Sequence, residues 1–328
     1  MRTSTSTIDY HGWGGSLELR NDAVRVVVVP AIGRVMHLGL TDEPNLLWEN
    51  AALAGRTLPG TPLVENGRPV WANFGGDRVW PTEESWFPRL NGAPRPPDPW
   101  IDGLAFEAKP LHGGVRLEGQ VSPLCGARLV RTIRLSPSGT RVSMCDRLEK
   151  VQLARRRDLE PVPLTVWGLT QIRPPEESLV SLASPSRYPA RFLPFRWDDL
   201  PGNDPASHFS VSGNVGVFLT DPKLPQKVGA DAPRWVAAIV DSTVLARVFR
   251  YQAGLEYPDG GTSATIFTAP DLAELETLSP LARLRPGESL EHRVDWEIRR
   301  LQPQACGTPE EKRRHAVQWL ESLRPPEA

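Results

Sequence analysis

The chain has 328 residues, 40% hydrophobic and 23% charged, which is the composition of an ordinary globular protein. Its formal net charge of −1 gives no general attraction to nucleic acid or to an anionic membrane. Cys125, Cys145 and Cys306 are far apart and form neither a metal-binding motif nor a disulfide framework. Because the sequence has no secretory signal and no apolar run of roughly 18 residues, we expect no membrane span and a cytoplasmic location.

The first predicted elements are strands. The β-branched run AVRVVVVP (23–30) stops at a proline, as a buried strand does. RVMHLGL (34–40) is the next predicted strand, and LLWE (46–49) is a shorter candidate. Residues 50–100 are dense in proline, glycine and tryptophan and predict a long loop, ordered because disordered segments are poor in aromatic residues.

The centre of this loop, WANFGGDRVWPTEESWFP (71–88), combines aromatic rings with charged side chains around a glycine pair. Aromatic rings beside hydrogen-bonding groups suit a sugar, which has apolar faces and a rim of hydroxyls. Gly75 and Gly76 allow the backbone to approach a ligand or to adopt a positive φ. The alternative interpretation is a surface loop that its tryptophans anchor to the core, and the stretch alone favours neither.

Beyond residue 110 the hydrophobic pattern alternates with period two, which predicts a series of half-buried strands. ARLVRTIRL (127–135) and TRVSMCDRLEK (140–150) flank a Pro/Gly turn and predict a β-hairpin. The remaining strands are predicted at 115–121, 162–172, 207–219, 235–240, 243–251, 262–268, 271–278 and 289–298.

One segment predicts a helix, TPEEKRRHAVQWLESL at the C-terminus. Thr308 is placed as the N-cap, Pro309 as the first helical residue and Glu311 as the third, which forms a capping box. A dozen or more short strands with turns between them predict an all-β sandwich or barrel. We expect one β domain over residues 1–305 and a helical appendage over 306–328.

The strand at 271–278 carries two carboxylates on one face. With period two, Leu272, Glu274, Glu276 and Leu278 project to the same side, and the two acids lie roughly 7 Å apart. Two unpaired carboxylates are too costly for a dry core. This face is therefore either exposed to solvent or the lining of a polar cleft, and the two alternatives are equally weighted.

Five segments in chain order carry a resemblance to a known family: NLLWEN (45–50), NFGGDRVWP (73–81), PPDPW (96–100), YPDGG (257–261) and ELETLSPLARLRPGES (274–289). Together they resemble the galactose-mutarotase-like (aldose 1-epimerase-like) superfamily, and a bacterial branch of it more closely. The resemblance implies a large antiparallel β-supersandwich with a sugar cleft on its concave face, and a mono- or oligosaccharide ligand.

Mutarotases interconvert sugar anomers by acid–base catalysis, with a Glu as base and a His as acid. LET (275–277) followed by LRPGE is similar to the family segment that carries the base, which implies Glu276 in that role and Glu274 if the register differs. Arg78 resembles the arginine that binds sugar hydroxyls. Asp77 is expected to orient Arg78 through a bidentate pair, and Trp80 or Trp86 to stack on the sugar.

The acid is where the sequence departs from the family pattern. The matching segment, VWGLTQI (166–172), contains no histidine. Trp167 and Gln171 can stack on a sugar or hydrogen-bond to it, but neither is a general acid near neutral pH. His292 lies on the apolar face of its strand and is expected to be a core residue.

Three functional hypotheses follow. The preferred one is a carbohydrate-binding protein without catalysis. The first alternative is a sugar isomerase of the aldose 1-epimerase type, which an acid opposite Glu276, such as Glu83 or Glu84, would favour. The second alternative is a structural or interaction domain. No cofactor is expected and no residue spacing predicts a metal.

Overall fold

The computed structural model describes residues 3–62, 70–93, 95, 97–197, 200–302 and 307–327. Cys306 lies outside these residues. The α-helices are α1 (Phe87–Asn91) and α2 (Pro309–Ser322). The strands are β1 (Ser4–Tyr10), β2 (Trp13–Arg20), β3 (Val24–Val29), β4 (Arg34–Leu40), β5 (Asp77–Trp80), β6 (Glu107–Leu111), β7 (Gly114–Glu118), β8 (Ala127–Leu135), β9 (Val142–Lys150), β10 (Pro163–Leu164), β11 (Trp167–Ile172), β12 (Glu177–Ser181), β13 (Leu193–Phe195), β14 (Phe209–Ser212), β15 (Val215–Phe218), β16 (Gln226–Ala230), β17 (Trp235–Val240), β18 (Thr243–Phe249), β19 (Ala264–Ala269), β20 (Leu272–Leu278), β21 (Ala282–Arg283) and β22 (Ser289–Arg300).

Within the described residues, most strands form two antiparallel sheets of ten strands each. The first sheet has the order β1-β2-β3-β4-β5-β11-β20-β19-β16-β13. The second has the order β14-β15-β12-β17-β18-β22-β9-β8-β7-β6, and β10 pairs separately with β21. The prediction of an all-β antiparallel sandwich is confirmed.

A continuous apolar core lies between the two sheets. It contains the inward-facing residues of both, for example Val26 and Leu275 from the first sheet and Leu129 and Trp296 from the second. This follows from the period-two patterning, since successive side chains on a strand point to opposite faces. The paired β8 and β9 are the predicted hairpin.

A layer of buried charge crosses this core and joins the sheets. Arg131 of β8 pairs with Asp146 of β9 at 2.8 Å and also bonds to Asp77 of β5. From β18, Arg247 donates to the carbonyl oxygens of Gly168 and Leu275. Because removing one partner of a buried ion pair costs about 3–5 kcal/mol, this layer fixes how the two sheets face each other.

Helix α2 begins and ends close to the predicted positions. The Thr308 side chain accepts a hydrogen bond from the backbone N–H of Glu311 at 3.2 Å, and Pro309 opens the helix. Ala316 and Leu320 are buried against the outer face of the second sheet, next to Trp235 and Ala237. No helix among the described residues is long and apolar enough to cross a membrane.

Some local predictions differ from the structure. Residues 207–219, predicted as one strand, form the hairpin β14–β15, because Gly213 takes a positive φ of 58° at the turn. The LLWE segment makes only isolated bridges, Leu47 to Ile172 and Glu49 to Gly75. Helix α1 was not expected; Gly92 ends it in a left-handed conformation.

Candidate functional site

Five neighbouring strands of the first sheet place polar side chains on its outer face. Cross-strand pairing aligns Gln171 of β11 with Glu274 of β20, Glu274 with Phe267 of β19, and Phe267 with Lys227 of β16. Pairing thus sets these four side chains in one row. The face itself follows from alternation, since Ala273 and Leu275 of β20 lie in the core. The predicted common face of Glu274 and Glu276 is confirmed.

One buried carboxylate organises the aromatic loop above this face. Asp102 accepts hydrogen bonds from the indole N–H groups of Trp71 and Trp80, both at 3.0 Å. Its other oxygen accepts from Arg34 at 2.5 Å. These charge-assisted bonds hold the two tryptophans in fixed orientations. The long loop is therefore ordered at this point by a residue outside the Trp71–Pro88 stretch.

Arg78 of β5 connects the loop to the sheet. It donates to Glu274 Oε1 at 2.8 Å and to Asn73 Oδ1 at 3.3 Å. Its guanidinium carbon lies 5.2 Å from the ring centroids of both Trp71 and Trp80. Arg78 is 4% exposed, and two carboxylates face its charge: Glu274 at 2.8 Å and Asp102 at 3.8 Å.

The loop and the sheet enclose a cavity of about 260 Å³, here called the polar cavity. Its walls include the partly exposed rings of Trp71, Trp197 and Phe267. Gln171 Nε2 donates to Glu274 at 2.7 Å, whereas the buried Gln171 Oε1 has no hydrogen-bond partner among the described residues. The remaining lining residues are Asn73, Arg78, Trp80, Glu84, Phe87, Arg95, Pro97, Lys227, Leu272, Glu274 and Glu276.

Glu276 is the buried acid of the polar cavity. Its Oε2 accepts from the Trp167 indole N–H at 2.8 Å and from the Thr265 hydroxyl. Burial raises the pKa of Glu276 to about 7, with a further contribution from the Glu274 charge, although the Lys227 ammonium opposes the shift. At neutral pH the group is therefore divided between acid and carboxylate, so it can accept or release a proton.

Lys227 supplies the compensating positive charge. Its Nζ lies 2.8 Å from Asp259, 3.7 Å from Glu84 and 3.9 Å from Glu276. It also lies 4.6 Å from the Trp167 ring centroid. Burial alone would lower the pKa of Lys227, but the three carboxylates outweigh burial and raise it above its ordinary value. Lys227 is therefore a permanently charged ammonium between Glu84 and Glu276.

Comparison with solved structures identifies the fold. A predicted aldose 1-epimerase from Escherichia coli K12 is 13% identical, with a TM-score of 0.51 over 87% of this chain and 98% of its own. A predicted aldose 1-epimerase from Klebsiella pneumoniae is 11% identical, with a TM-score of 0.52. The match covers 99% of this chain and 88% of that protein. A galactose mutarotase related enzyme from Lactobacillus acidophilus is 10% identical, with a TM-score of 0.51 over 88% and 98%.

The chain has the galactose mutarotase-like fold. No protein-family model and no curated protein matches the sequence. At these identities the likeness establishes the mutarotase-like architecture and leaves the reaction open.

Five of the predicted site residues line the polar cavity of this mutarotase-like sandwich: Arg78, Trp80, Gln171, Glu274 and Glu276. Trp167 lies directly beside them but is fully buried, so its face is covered by protein. Its indole N–H holds Glu276 instead. Trp86 lies outside the cavity lining, where Arg89 stacks on its ring at 5.0 Å.

The predicted pairing of Asp77 with Arg78 is wrong. Successive residues of β5 point to opposite faces, so Asp77 faces the interior while Arg78 faces the polar cavity. Asp77 binds Arg131 of the second sheet and accepts from the Thr170 hydroxyl at 2.7 Å. Glu274, which pairs directly with Arg78, takes the orienting role that was assigned to Asp77.

None of the described residues that line the polar cavity is a histidine. His292 is buried in the sandwich interior, where Nε2 lies 3.1 Å from the Thr277 hydroxyl, as expected of a core residue. Burial and the nearby Arg247 lower the pKa of His292 to about 3, so it is neutral. No group of three or more metal-ligating side chains is found within the described part of the chain.

Sequence reasoning missed several residues of the site. Lys227, Asp102, Trp197 and Phe267 come from segments far apart in the sequence. No local signal marked Lys227, because QKVGA (226–230), which forms β16, was not among the predicted strands. Nothing local identified Asp102, since its partners are Arg34 of β4 and two tryptophans of the loop, Trp71 and Trp80.

Proposed function

We propose that the protein binds a carbohydrate in the polar cavity. The proposal rests on one observation: the partly exposed residues Trp71, Trp197 and Phe267 line the same cavity as the hydrogen-bonding groups of the sheet. A sugar presents apolar faces to rings and hydroxyls to carboxylate and amide groups. At about 260 Å³ the cavity is slightly smaller than the roughly 300–1,000 Å³ that holds a drug-sized ligand, which suits one sugar ring.

Two features favour binding over a purely structural role. None of the described side chains fills the cavity, whereas the interior of a packed structural domain is filled by its own side chains. The buried Gln171 Oε1 also lacks a donor among the described residues, and an unsatisfied buried acceptor costs about 1–3 kcal/mol. A sugar hydroxyl donating to Gln171 would remove that cost.

A panel of mono- and oligosaccharides in a thermal-shift assay, followed by calorimetry on the best ligand, tests the proposal. Two tryptophans provide a matched comparison, since Trp197 lines the cavity and Trp86 does not. Trp197→Ala should weaken binding about tenfold, the equivalent of ~1.4 kcal/mol of lost ring contact, while Trp86→Ala leaves the dissociation constant unchanged. A panel without any response would contradict the proposal, as would equal losses in the two variants.

A second candidate, a sugar isomerase of the aldose 1-epimerase type, is favoured by the pKa of Glu276, raised to about 7. A base is most effective when its pKa lies near the working pH. Glu276 would take the proton of the anomeric hydroxyl as the bond from the anomeric carbon to the ring oxygen breaks. The ring oxygen would take a proton from a water molecule. On closure at the other face, the ring hydroxyl would return a proton to the resulting hydroxide and Glu276 would return its proton to the anomeric oxygen, which gives the other anomer and restores the base. The names of the structural neighbours support this class of reaction.

In this scheme Lys227 supplies positive charge near the reacting sugar, where the described lining residues include no histidine. Its ammonium lies 3.9 Å from Glu276 and 3.7 Å from Glu84, between the base and a second carboxyl group. A fixed positive charge at this point stabilises negative charge that develops on the ring oxygen.

Anomer exchange, followed by NMR exchange spectroscopy, separates the two candidates. Under the isomerase hypothesis, Glu276→Gln abolishes exchange but keeps sugar binding, since the amide oxygen still accepts from Trp167 and Thr265. Equal exchange in wild type and variant, at the rate of the uncatalysed reaction, would leave binding alone as the function.

A further inference from the structure

A second cavity, of about 490 Å³, opens beside the NLLWEN segment and shares no lining residue with the polar cavity. We call it the Trp48 pocket. Its walls include the rings of Trp13 and Trp48 and the side chain of Leu47. Trp13 is buried and Trp48 is partly exposed, so Trp48 presents ring surface to the cavity.

The backbone around the Trp48 pocket is held in place. Leu47 and Glu49 form antiparallel bridges with Ile172 and Gly75. Trp48 N–H donates to the carbonyl oxygen of Gln171 at 3.0 Å. The pocket is therefore preformed, so a ligand would not have to order a loop to enter it.

Most polar groups of the Trp48 pocket already have partners within the protein. The Asn45 amide donates to Met36 O and accepts from two backbone N–H groups. The Asn50 side chain bonds to Ala52 N–H and to Asn73 O. Arg173 donates to Asn45 O and pairs with Asp241 at 2.6 Å. The two titratable side chains of the lining that have no close salt-bridge partner among the described residues are Glu49 and the half-exposed His11.

Glu49 lacks a strong cationic partner. Among the described residues, the one ion-pair contact of its carboxylate is with His11 Nε2, at 4.0 Å. The nearby Arg25 is paired with Glu18 at 2.6 Å. Burial raises the pKa of Glu49, and the side chains of Asn45 and Tyr10 offset this only in part. A partly buried carboxylate is therefore left without the close ammonium or guanidinium that would stabilise it.

We propose that the Trp48 pocket binds a small primary amine with an apolar body, its ammonium on Glu49 and its body against Trp48. Apolar walls with one under-compensated carboxylate match this chemistry, and the indole face adds a cation–π contribution. A sugar fits less well, because its hydroxyls need several open hydrogen-bonding partners and the asparagine side chains here are already bonded. This site stands apart from the carbohydrate proposal.

Calorimetric titration with 2-phenylethylamine and with 2-phenylethanol, its neutral isostere, tests the proposal on the full chain. The wild type should bind the amine at least about tenfold more tightly than the alcohol. Glu49→Gln should remove that preference. Trp48→Ala should weaken both ligands, and Glu276→Gln, in the separate polar cavity, should leave amine binding unchanged.

Circular dichroism and melting curves establish that each variant is folded before it is titrated. Equal affinity of the wild type for amine and alcohol would overturn the proposal, as would a preference that persists in Glu49→Gln or the absence of amine binding at millimolar concentration. Loss of amine binding in Glu276→Gln would place the ligand in the polar cavity instead.

Discussion

Glu276→Gln should remove one pH-dependent component of stability. In the native protein, burial raises the pKa of Glu276 from its ordinary 4.5 to about 7. The unfolded chain has no such burial, so between these two values native Glu276 keeps a proton that the unfolded chain has released. The stabilisation from this group is complete below pH 4.5 and is lost as the pH rises through 7.

The magnitude follows from the size of the shift. Each pKa unit corresponds to about 1.4 kcal/mol, so the shift is worth about 3 kcal/mol for this fully buried side chain. Gln has no proton to release, yet its amide oxygen can still accept from the Trp167 indole N–H. The variant should therefore gain about 3 kcal/mol relative to the wild type between pH 4 and pH 8.

Urea unfolding of both proteins at pH 4, 6 and 8 measures this difference. Other titrating groups, such as Asp98 with its pKa raised by burial to about 6, are common to both chains and cancel in the comparison. A difference in unfolding free energy that stays constant from pH 4 to pH 8 would refute the assignment of a buried, partly protonated Glu276.

Three further predictions concern stability. Lys227→Met leaves Asp259 and Glu276 without their ammonium, so the free energy of unfolding should fall by about 3–5 kcal/mol at pH 8. The loss should be smaller at pH 5, where both carboxyls protonate more readily, and urea unfolding at the two pH values measures it. Arg78→Ala should cost about 3 kcal/mol, since Glu274 loses its ion-pair partner; a loss below ~1 kcal/mol would contradict the burial of that pair. Thr308→Ala should lower the free energy of unfolding by about 1 kcal/mol through the lost N-cap, read from the melting temperature, with the exposed Thr57→Ala as a control outside the helix.

The fold was predictable because its signal is local. Alternation along 271–278 placed Glu274 and Glu276 on one face, and the structure has both lining the polar cavity. The same period placed His292 inside the sandwich. Thr308, Pro309 and Glu311 located the start of α2, since capping depends on four consecutive residues.

The site was only partly predictable because its contacts are between distant segments. Asp77 and Arg78 are neighbours in sequence, yet the pleat sends one to Arg131 and the other to Glu274. No local pattern reports that Asp102 would bind two tryptophans of the loop. Such partners are set by the pairing of strands and loops in three dimensions.

The indole N–H signals in a ¹⁵N NMR titration report on sugar binding in the polar cavity. Trp71 and Trp80 donate to Asp102 and Trp167 donates to Glu276, so these three indoles report on the cavity. Trp235 and Trp296, fully buried in the interior, serve as internal controls. With the sugar found in the thermal-shift panel, we expect shifts in the first three signals and none in the controls. Shifts confined to tryptophans outside the cavity lining, or absent at saturating sugar, would contradict sugar binding in the polar cavity.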